Sequence, residues 1–224
     1  MATQIITLQN KVLIDALKIA KNFNSEGYIC FNKEGILIQN TDNANVCLNS
    51  ILIKADSLIY TELSEETKIF VNFEGLYKLI KSHKSEVTLK LLDNSEYINN
   101  KREVLYLDFK GFKSEFILSY DGDDEVKNMP SLEHKINFTY YSKGLKEIIK
   151  NFSNISDSVK FSYAKKDELH NLNLSAKSLT GSKSETDILI EEVNINNNYY
   201  EEVTSKFSLE YLENYFSNIY YKKQ

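Results

Sequence analysis

Apolar residues recur along this chain with two different periods, and the switches between them mark out its elements. Residues Gln4–Leu8 read as a short strand. From about Lys11 to Asn22, Leu13, Ala16, Leu17 and Ala20 fall on one helical stripe. Strand-like runs follow at Tyr28–Phe31, Gly35–Asn40, Val46–Ile53 and Lys68–Val71. The third of these is apolar at both alternating sets of positions, which predicts a strand covered on two sides. Asn72 is a good N-cap residue, and the helix after it carries a stripe of Leu76, Leu79, Ile80 and His83. Three more strands are predicted at Val87–Leu92, Val104–Phe109 and Phe116–Tyr120, with Lys110-Gly111-Phe112-Lys113 as the hairpin connection between the last two.

The order then restarts. Lys135–Tyr141 reads as a strand, and Ser142 caps a helix whose stripe is Leu145, Ile148, Ile149 and Phe152. Strands are predicted at Val159–Tyr163, Leu169–Ala176 and Ile188–Val193. A short strand, Val203–Phe207, leads into a helix capped by Ser208 with Leu209, Leu212, Phe216 and Ile219 inward. The starts of the two second helices resemble each other, Phe70-Val71-Asn72-Phe73-Glu74 against Lys206-Phe207-Ser208-Leu209-Glu210. Strand, helix, several strands and helix therefore occur twice, which predicts two similar α+β domains, at 1–120 and 135–224. Between them, 121–134 begins with the acidic stretch Asp121–Glu125 and holds the single proline, Pro130. It reads as an exposed crossover connector.

Composition narrows the class. Of 224 residues, 42% are hydrophobic and 26% charged, enough to fill cores in two domains of about a hundred residues each. No apolar run approaches the ~20 residues a membrane-spanning helix needs, and Met1-Ala2-Thr3-Gln4 has no basic head or apolar signal core. A soluble protein with no membrane partner is expected. Cys30 and Cys47, the two cysteines, each lie in an apolar stretch and fit buried thiols in a reducing compartment. The formal net charge is −5, so nucleic-acid binding would need its positive charge gathered on one face.

The helices gather it. Lys11, Lys18 and Lys21 lie opposite the first apolar stripe, Lys78, Lys81 and Lys84 continue one face of the second helix, and Lys143, Lys146 and Lys150 fall at i, i+3 and i+7 on the third. Lysine gives long-reach charge suited to phosphates, whereas reading of bases favours arginine, asparagine or glutamine; Arg102 is the one arginine. Weak, sequence-independent and salt-dependent binding to duplex DNA follows. Lysine-rich helices that serve only solubility, on a non-DNA interaction module, are the competing reading. The fourth helix favours it, with Glu210, Glu213 and Asn214 outward.

These elements resemble the proliferating cell nuclear antigen family of DNA sliding clamps. The resemblance rests on Glu34–Leu48, a glycine, an apolar strand, an aspartate turn and a valine in the family's order, and on Leu145–Val159, a helix followed by Asp157-Ser158-Val159. Met129-Pro130 sits where the family's connector ends. The resemblance implies a DNA clamp fold, with antiparallel sheets outside and helices lining a central hole, closed by a trimer of self or paralogous subunits. It implies that Lys11, Lys18, Lys21, Lys78, Lys81, Lys143, Lys146 and Lys150 face duplex DNA. Edge strands near Phe116, Leu118 and Tyr120 would pair with Asp187, Ile188 and Ile190 of the next subunit. DNA polymerase, flap endonuclease, ligase and clamp loader would dock short apolar motifs on Thr41, Asn45, Val46, Val126, Met129 and Pro130. It implies a processivity factor with no catalysis, and an intracellular location, in the nucleus of a eukaryote or the cytoplasm of an archaeon. A checkpoint or viral accessory subunit of a heterotrimer is the alternative within the fold. The chain departs from the family in its second copy, which ends at Gln224 where the family continues through further strands. A shortened chain, strands supplied by another polypeptide and an unusual domain are the readings left open.

Other chemistry finds no support in the residues. His83, His134 and His170 are scattered, and no Cys/His cluster has zinc spacing, so neither a metal nor a cofactor is expected. An EF-hand starting at Asp121 would need glutamate where Leu132 stands. Thr180-Gly181-Ser182-Lys183-Ser184 lacks the first glycine of a phosphate loop, and its lysine does not follow the second directly.

Overall fold

The predicted stripe of Leu13, Ala16, Leu17 and Ala20 forms the buried face of α1 (Asn10–Ala20). Burial of each leucine there contributes roughly 1.5–3 kcal/mol. The computed structural model describes residues 3–63, 65–92, 104–119, 136–138, 140, 142–166, 169–189, 193–195 and 202–217. The chain divides into two units, Met1–Lys127 and Asn128–Gln224. The connector expected at 121–134 lies outside the described residues.

Around α1, the first unit places β1 (Thr3–Gln9), β2 (Glu26–Asn32), β3 (Gly35–Thr41), β4 (Leu48–Lys54), β5 (Leu58–Glu62), β6 (Thr67–Asn72), α2 (Phe73–Ile80), β7 (Glu86–Leu92), β8 (Val104–Phe109) and β9 (Phe112–Ile117). Two antiparallel sheets result, one in the order β5-β1-β7-β8-β9 and one in the order β4-β3-β2-β6. A continuous core takes Ile6, Leu8, Leu89 and Leu107 from the first sheet, and Ile29, Phe31, Ile36 and Ile38 from the second. Both helices join it, α2 through Phe73, Leu76 and Ile80. Gly27 lets the second sheet close on α2, because a Cβ there would meet Gln39 O at 2.5 Å and Phe73 Cε2 at 2.8 Å.

The two helices lie side by side and antiparallel. Asn10, at the start of α1, donates from Nδ2 to the carbonyls of Ile80 (2.9 Å) and His83 (2.6 Å) at the end of α2. At the other end Lys21, just past α1, reaches Glu74 in the first turn of α2. Asn72 caps α2 as the sequence predicts, its Oδ1 accepting from Gly75 N at 2.7 Å.

A buried amide network fixes the end of α1. Asn40 Nδ2 donates to Ala20 O (2.8 Å) and Asn24 O (3.0 Å), while its Oδ1 accepts from Asn49 Nδ2 (2.9 Å). This adds a side-chain donor to a helix-terminal carbonyl that Phe23 N (3.0 Å) and Asn24 N (3.3 Å) also reach. Asn40→Ala removes the side-chain donor to Asn24 O and the acceptor of Asn49 Nδ2, and should lower stability by about 1–3 kcal/mol. A fall in urea midpoint with an unchanged m-value would show it. An unmoved midpoint would mean the network contributes little.

The second unit repeats the order: β10 (Ile136–Phe138), α3 (Ser142–Ser153), β11 (Ser158–Lys166), β12 (Leu169–Lys177), β13 (Lys183–Leu189), β14 (Val193–Ile195), β15 (Glu202–Ser208) and α4 (Leu209–Ser217). Its sheets, β10-β14 and β13-β12-β11-β15, match β1-β5 and β4-β3-β2-β6 strand for strand. Helices α3 and α4 pack together over a core of Ile149, Phe152, Val159, Leu172, Leu174 and Leu209. Among the described residues, β7, β8 and β9 have no counterpart in this unit.

Four sequence expectations need correction. The strand expected at Val46–Ile53 begins at Leu48, and it is not covered on both sides. It is an edge strand, with Leu52 42% exposed. The hairpin connection between β8 and β9 is only Lys110-Gly111, because both adopt positive φ (56° and 107°), as a two-residue turn matched to strand twist requires. The following strand therefore starts at Phe112 and ends at Ile117, where Phe116–Tyr120 was expected. The fourth strand of the second copy is Lys183–Leu189 rather than Ile188–Val193, and β14 follows it separately. Finally, β5 was not expected at all.

Candidate nucleic-acid interface

The lysines predicted to face DNA are set by the helix periodicity that buries the opposite stripe. In the first unit, Lys11, Lys78, Lys81 and Lys84 are exposed, while Lys18 and Lys21 are half-buried. Residues 10–22 and 73–84 hold six lysines against two carboxylates, Asp15 and Glu74. Because α1 and α2 pair antiparallel, the far end of α1 and the near end of α2 bring Lys21 and Lys78 to one acid. Lys21 Nζ is 2.8 Å from Glu74 Oε2, and Lys78 Nζ is 3.3 Å from Glu74 Oε1. Tyr77 completes the cluster, with Lys21 Nζ 4.8 Å and Lys81 Nζ 5.9 Å from its ring centre. Lys11 pairs along its own helix with Asp15 at 2.7 Å.

The hydrogen bond from Lys21, and then that from Lys78, hold the Glu74 carboxyl below its usual value, against an opposing effect of desolvation. The sign follows from the lowered pKa in the folded chain. The link is fully present above the ordinary carboxylate pKa of 4.5 and is lost as pH falls through the folded value. At neutral pH the Glu74 carboxyl is therefore ionised.

In the second unit Lys143 and Lys150 are exposed and Lys146 is half-buried on α3, whose other face buries Ile149 and Phe152. Helix α4 has no lysine; Glu210 is exposed and Glu213 half-buried. Such surfaces attract polyanions without reading sequence.

The candidate docking turn is built by Asp42. Its Oδ1 accepts from Val46 N (2.8 Å) and Cys47 N (2.7 Å), and its Oδ2 from Ala44 N (3.3 Å). Asn45 takes the left-handed conformation that asparagine tolerates, with φ 55°. The turn lifts Val46 to 74% exposure, with Thr41 half-buried at its base. Val126, Met129 and Pro130, the other expected docking residues, lie outside the described residues.

At the strand edges, Phe116 and Leu118 are half-buried and pack on the core of the first unit, while Ile117 between them is 52% exposed. On β13, Ile188 is buried in the second core, whereas Asp187 is exposed and accepts from Asn173 Nδ2 at 2.8 Å. Tyr120 and Ile190 lie outside the described residues. Strands β9 and β13 are both sheet edges.

Two histidines have packing roles. His83 stacks on Phe109 with ring centres 4.0 Å apart, and His170 Nδ1 shares a hydrogen bond of 2.7 Å with the Tyr163 hydroxyl. Among the described residues no group of three or more histidine, cysteine, aspartate or glutamate side chains could hold a metal. Cys30 and Cys47 are free thiols. Cys30 is buried and pushed up to about 11, chiefly by desolvation, whereas Cys47 is only half-buried. The Thr180–Ser184 stretch spans the β12–β13 turn, where Ser178 N donates to Ser182 O at 2.8 Å. Sequence reasoning missed Glu74 and Tyr77 as parts of the basic face. The i, i+4 spacing of Glu74 and Lys78 was the available signal.

No family model matches the sequence. A DNA polymerase sliding clamp of Thermococcus gammatolerans is 29% identical over 160 residues, which make up 70% of this chain and 61% of that protein. Proliferating cell nuclear antigen of Chaetomium thermophilum is 27% identical over 157 residues, 66% of this chain and 56% of that one. The match thus spans less than two thirds of either relative. Among solved structures, A. fulgidus PCNA with the C-terminal region of FEN-1 bound superposes with a TM-score of 0.77 at 20% identity, covering 96% of this chain and 83% of the other. The PCNA2–PCNA3 complex of Sulfolobus tokodaii gives 0.74 at 19% identity, covering 96% and 84%. The fold of this chain is the DNA clamp fold, and its similarity in both sequence and structure is to the proliferating cell nuclear antigen family of sliding clamps.

Proposed function

We propose that this chain is one subunit of a trimeric sliding clamp, a processivity factor that encircles duplex DNA and tethers replication and repair enzymes to it. The observation that carries the reading is the repeated clamp topology, whose paired helices bury apolar stripes and, on α1, α2 and α3, carry lysines on their other faces. Closure pairs edge strand β9 of one chain with β13 of the next, which removes two unprotected sheet edges at once. Six helix pairs around the ring then surround the duplex. Their lysines meet phosphates as point charges, so contacts are weak, independent of sequence and easily exchanged.

Retention on DNA is topological and needs no tight binding. The chain performs no chemistry; it raises the effective concentration of an enzyme docked on it, which rebinds the primer end before diffusing away. Polymerase, flap endonuclease, ligase and clamp loader dock short apolar motifs on the Asp42 turn and the connector. The similarity to the FEN-1-bound clamp supports docking of the flap endonuclease.

Primer extension with a replicative polymerase that carries such a motif tests the reading. Adding this chain with a clamp loader lengthens the products made in one binding event. Product lengths that do not change with the chain present would overturn the proposal.

A further inference from the structure

We propose that Glu74 is a built-in attenuator of DNA contact, a carboxylate that withholds the Lys21 ammonium group a duplex would otherwise engage. The inference rests on the clamp reading and deepens it. Each Glu74 oxygen takes one ammonium, Oε2 from Lys21 at 2.8 Å and Oε1 from Lys78 at 3.3 Å. Lys21 is held from a second direction by the Tyr77 ring, and its side chain is only 24% exposed. The bridge also joins two helices, since Lys21 belongs to the end of α1 and Glu74 to the start of α2. The Lys11–Asp15 and Lys78–Glu74 pairs differ. Each lies within one helix turn, and each lysine side chain is 64% exposed, so it can swing to a phosphate at little cost.

A phosphate approaching Lys21 must compete with a carboxylate already in place. The first unit therefore offers fewer phosphate contacts than its six lysines suggest. For a ring that must slide this is useful, because every additional phosphate neutralised adds drag and steepens salt dependence. Glu74 acts through the lysines it holds and is a positioning residue.

The test is binding of the full chain and of Glu74→Gln to a linear duplex oligonucleotide across a salt series, with thermal unfolding to confirm equal folding. Releasing the Lys21 ammonium group makes the slope of log affinity against log salt steeper by about 0.9 in E74Q. Affinity at ~0.1 M salt should rise about tenfold. Asp15→Asn removes the same charge from the same helix pair and should give a distinctly smaller gain. If the unmodified chain binds with a salt-dependent slope and E74Q binds identically, the attenuator proposal is overturned while the clamp reading stands. An equal gain from Asp15→Asn would show an effect of bulk charge alone and would also overturn it. If the unmodified chain shows no salt-dependent binding, the DNA reading fails and the attenuator falls with it.

Discussion

Replacing Lys143, Lys146 and Lys150 together by glutamate should lower the affinity for duplex DNA on the order of a hundredfold near 0.1 M salt. The three positions share one side of α3, opposite Ile149 and Phe152, so three potential phosphate contacts become three repulsions without disturbing the core. If each lysine meets a phosphate, the salt slope should also become shallower by about 2.7. The cost to folding is small. Lys143→Glu favours the helix dipole at its start, whereas Lys150→Glu opposes it in the last turn by about 0.3–1 kcal/mol. Fluorescence anisotropy on a labelled duplex, repeated over a salt series, reads both effects. An unchanged slope would mean that these lysines are solvated surface, as the competing interaction-module reading holds.

The second large effect concerns assembly. Ile117→Asp should reduce the solution mass from that of three chains to that of one, each 26.0 kDa. Ile117 closes the outer strand of the five-stranded sheet and is more than half exposed, so the isolated unit gains little from its apolar side chain. In the proposed ring that surface is covered by β13 of the next subunit, which itself exposes Glu185 and Asp187. A new carboxylate would be buried beside two others at the seam, a desolvated like-charge contact that costs several kcal/mol. Because the side chain is exposed in the single chain, unfolding of the monomer should move by no more than about 0.5 kcal/mol. Light scattering at micromolar concentration distinguishes the outcomes. An Ile117→Asp protein that keeps the trimer mass would place the seam elsewhere.

Much of this architecture was legible because burial writes a period into the sequence. The helices over α1, α2, α3 and α4 announced themselves through one-sided stripes, and the duplicated order of elements foretold two units of matching topology. The lysines were legible for the same reason, since a buried stripe dictates which positions face out. What was missed shares a cause. Strand β5 exposes Ile59, Tyr60, Thr61 and Glu62 at a sheet edge, so no alternation marks it. Strand β13 runs through Lys183-Ser184-Glu185-Thr186-Asp187, polar because it too is an edge. Edge strands are held by backbone bonds, which leave little trace in side-chain pattern.

The Glu74 bridge was hidden for another reason. Its two lysines lie on different helices, and only the antiparallel pairing of α1 and α2 brings Lys21 to an acid 53 positions away. Likewise, the three backbone bonds that Asp42 accepts explain why an aspartate stands in that turn, whereas the sequence showed only that one does.

Encirclement is tested most directly by gel filtration of the loaded chain on nicked circular DNA, before and after one cut by a restriction enzyme, in salt high enough to suppress phosphate contacts. A closed ring should travel with the intact circle and slide off the ends once the circle is cut. Equal retention on both forms, or loss from both, would show that nothing is threaded through the ring and would contradict the clamp reading.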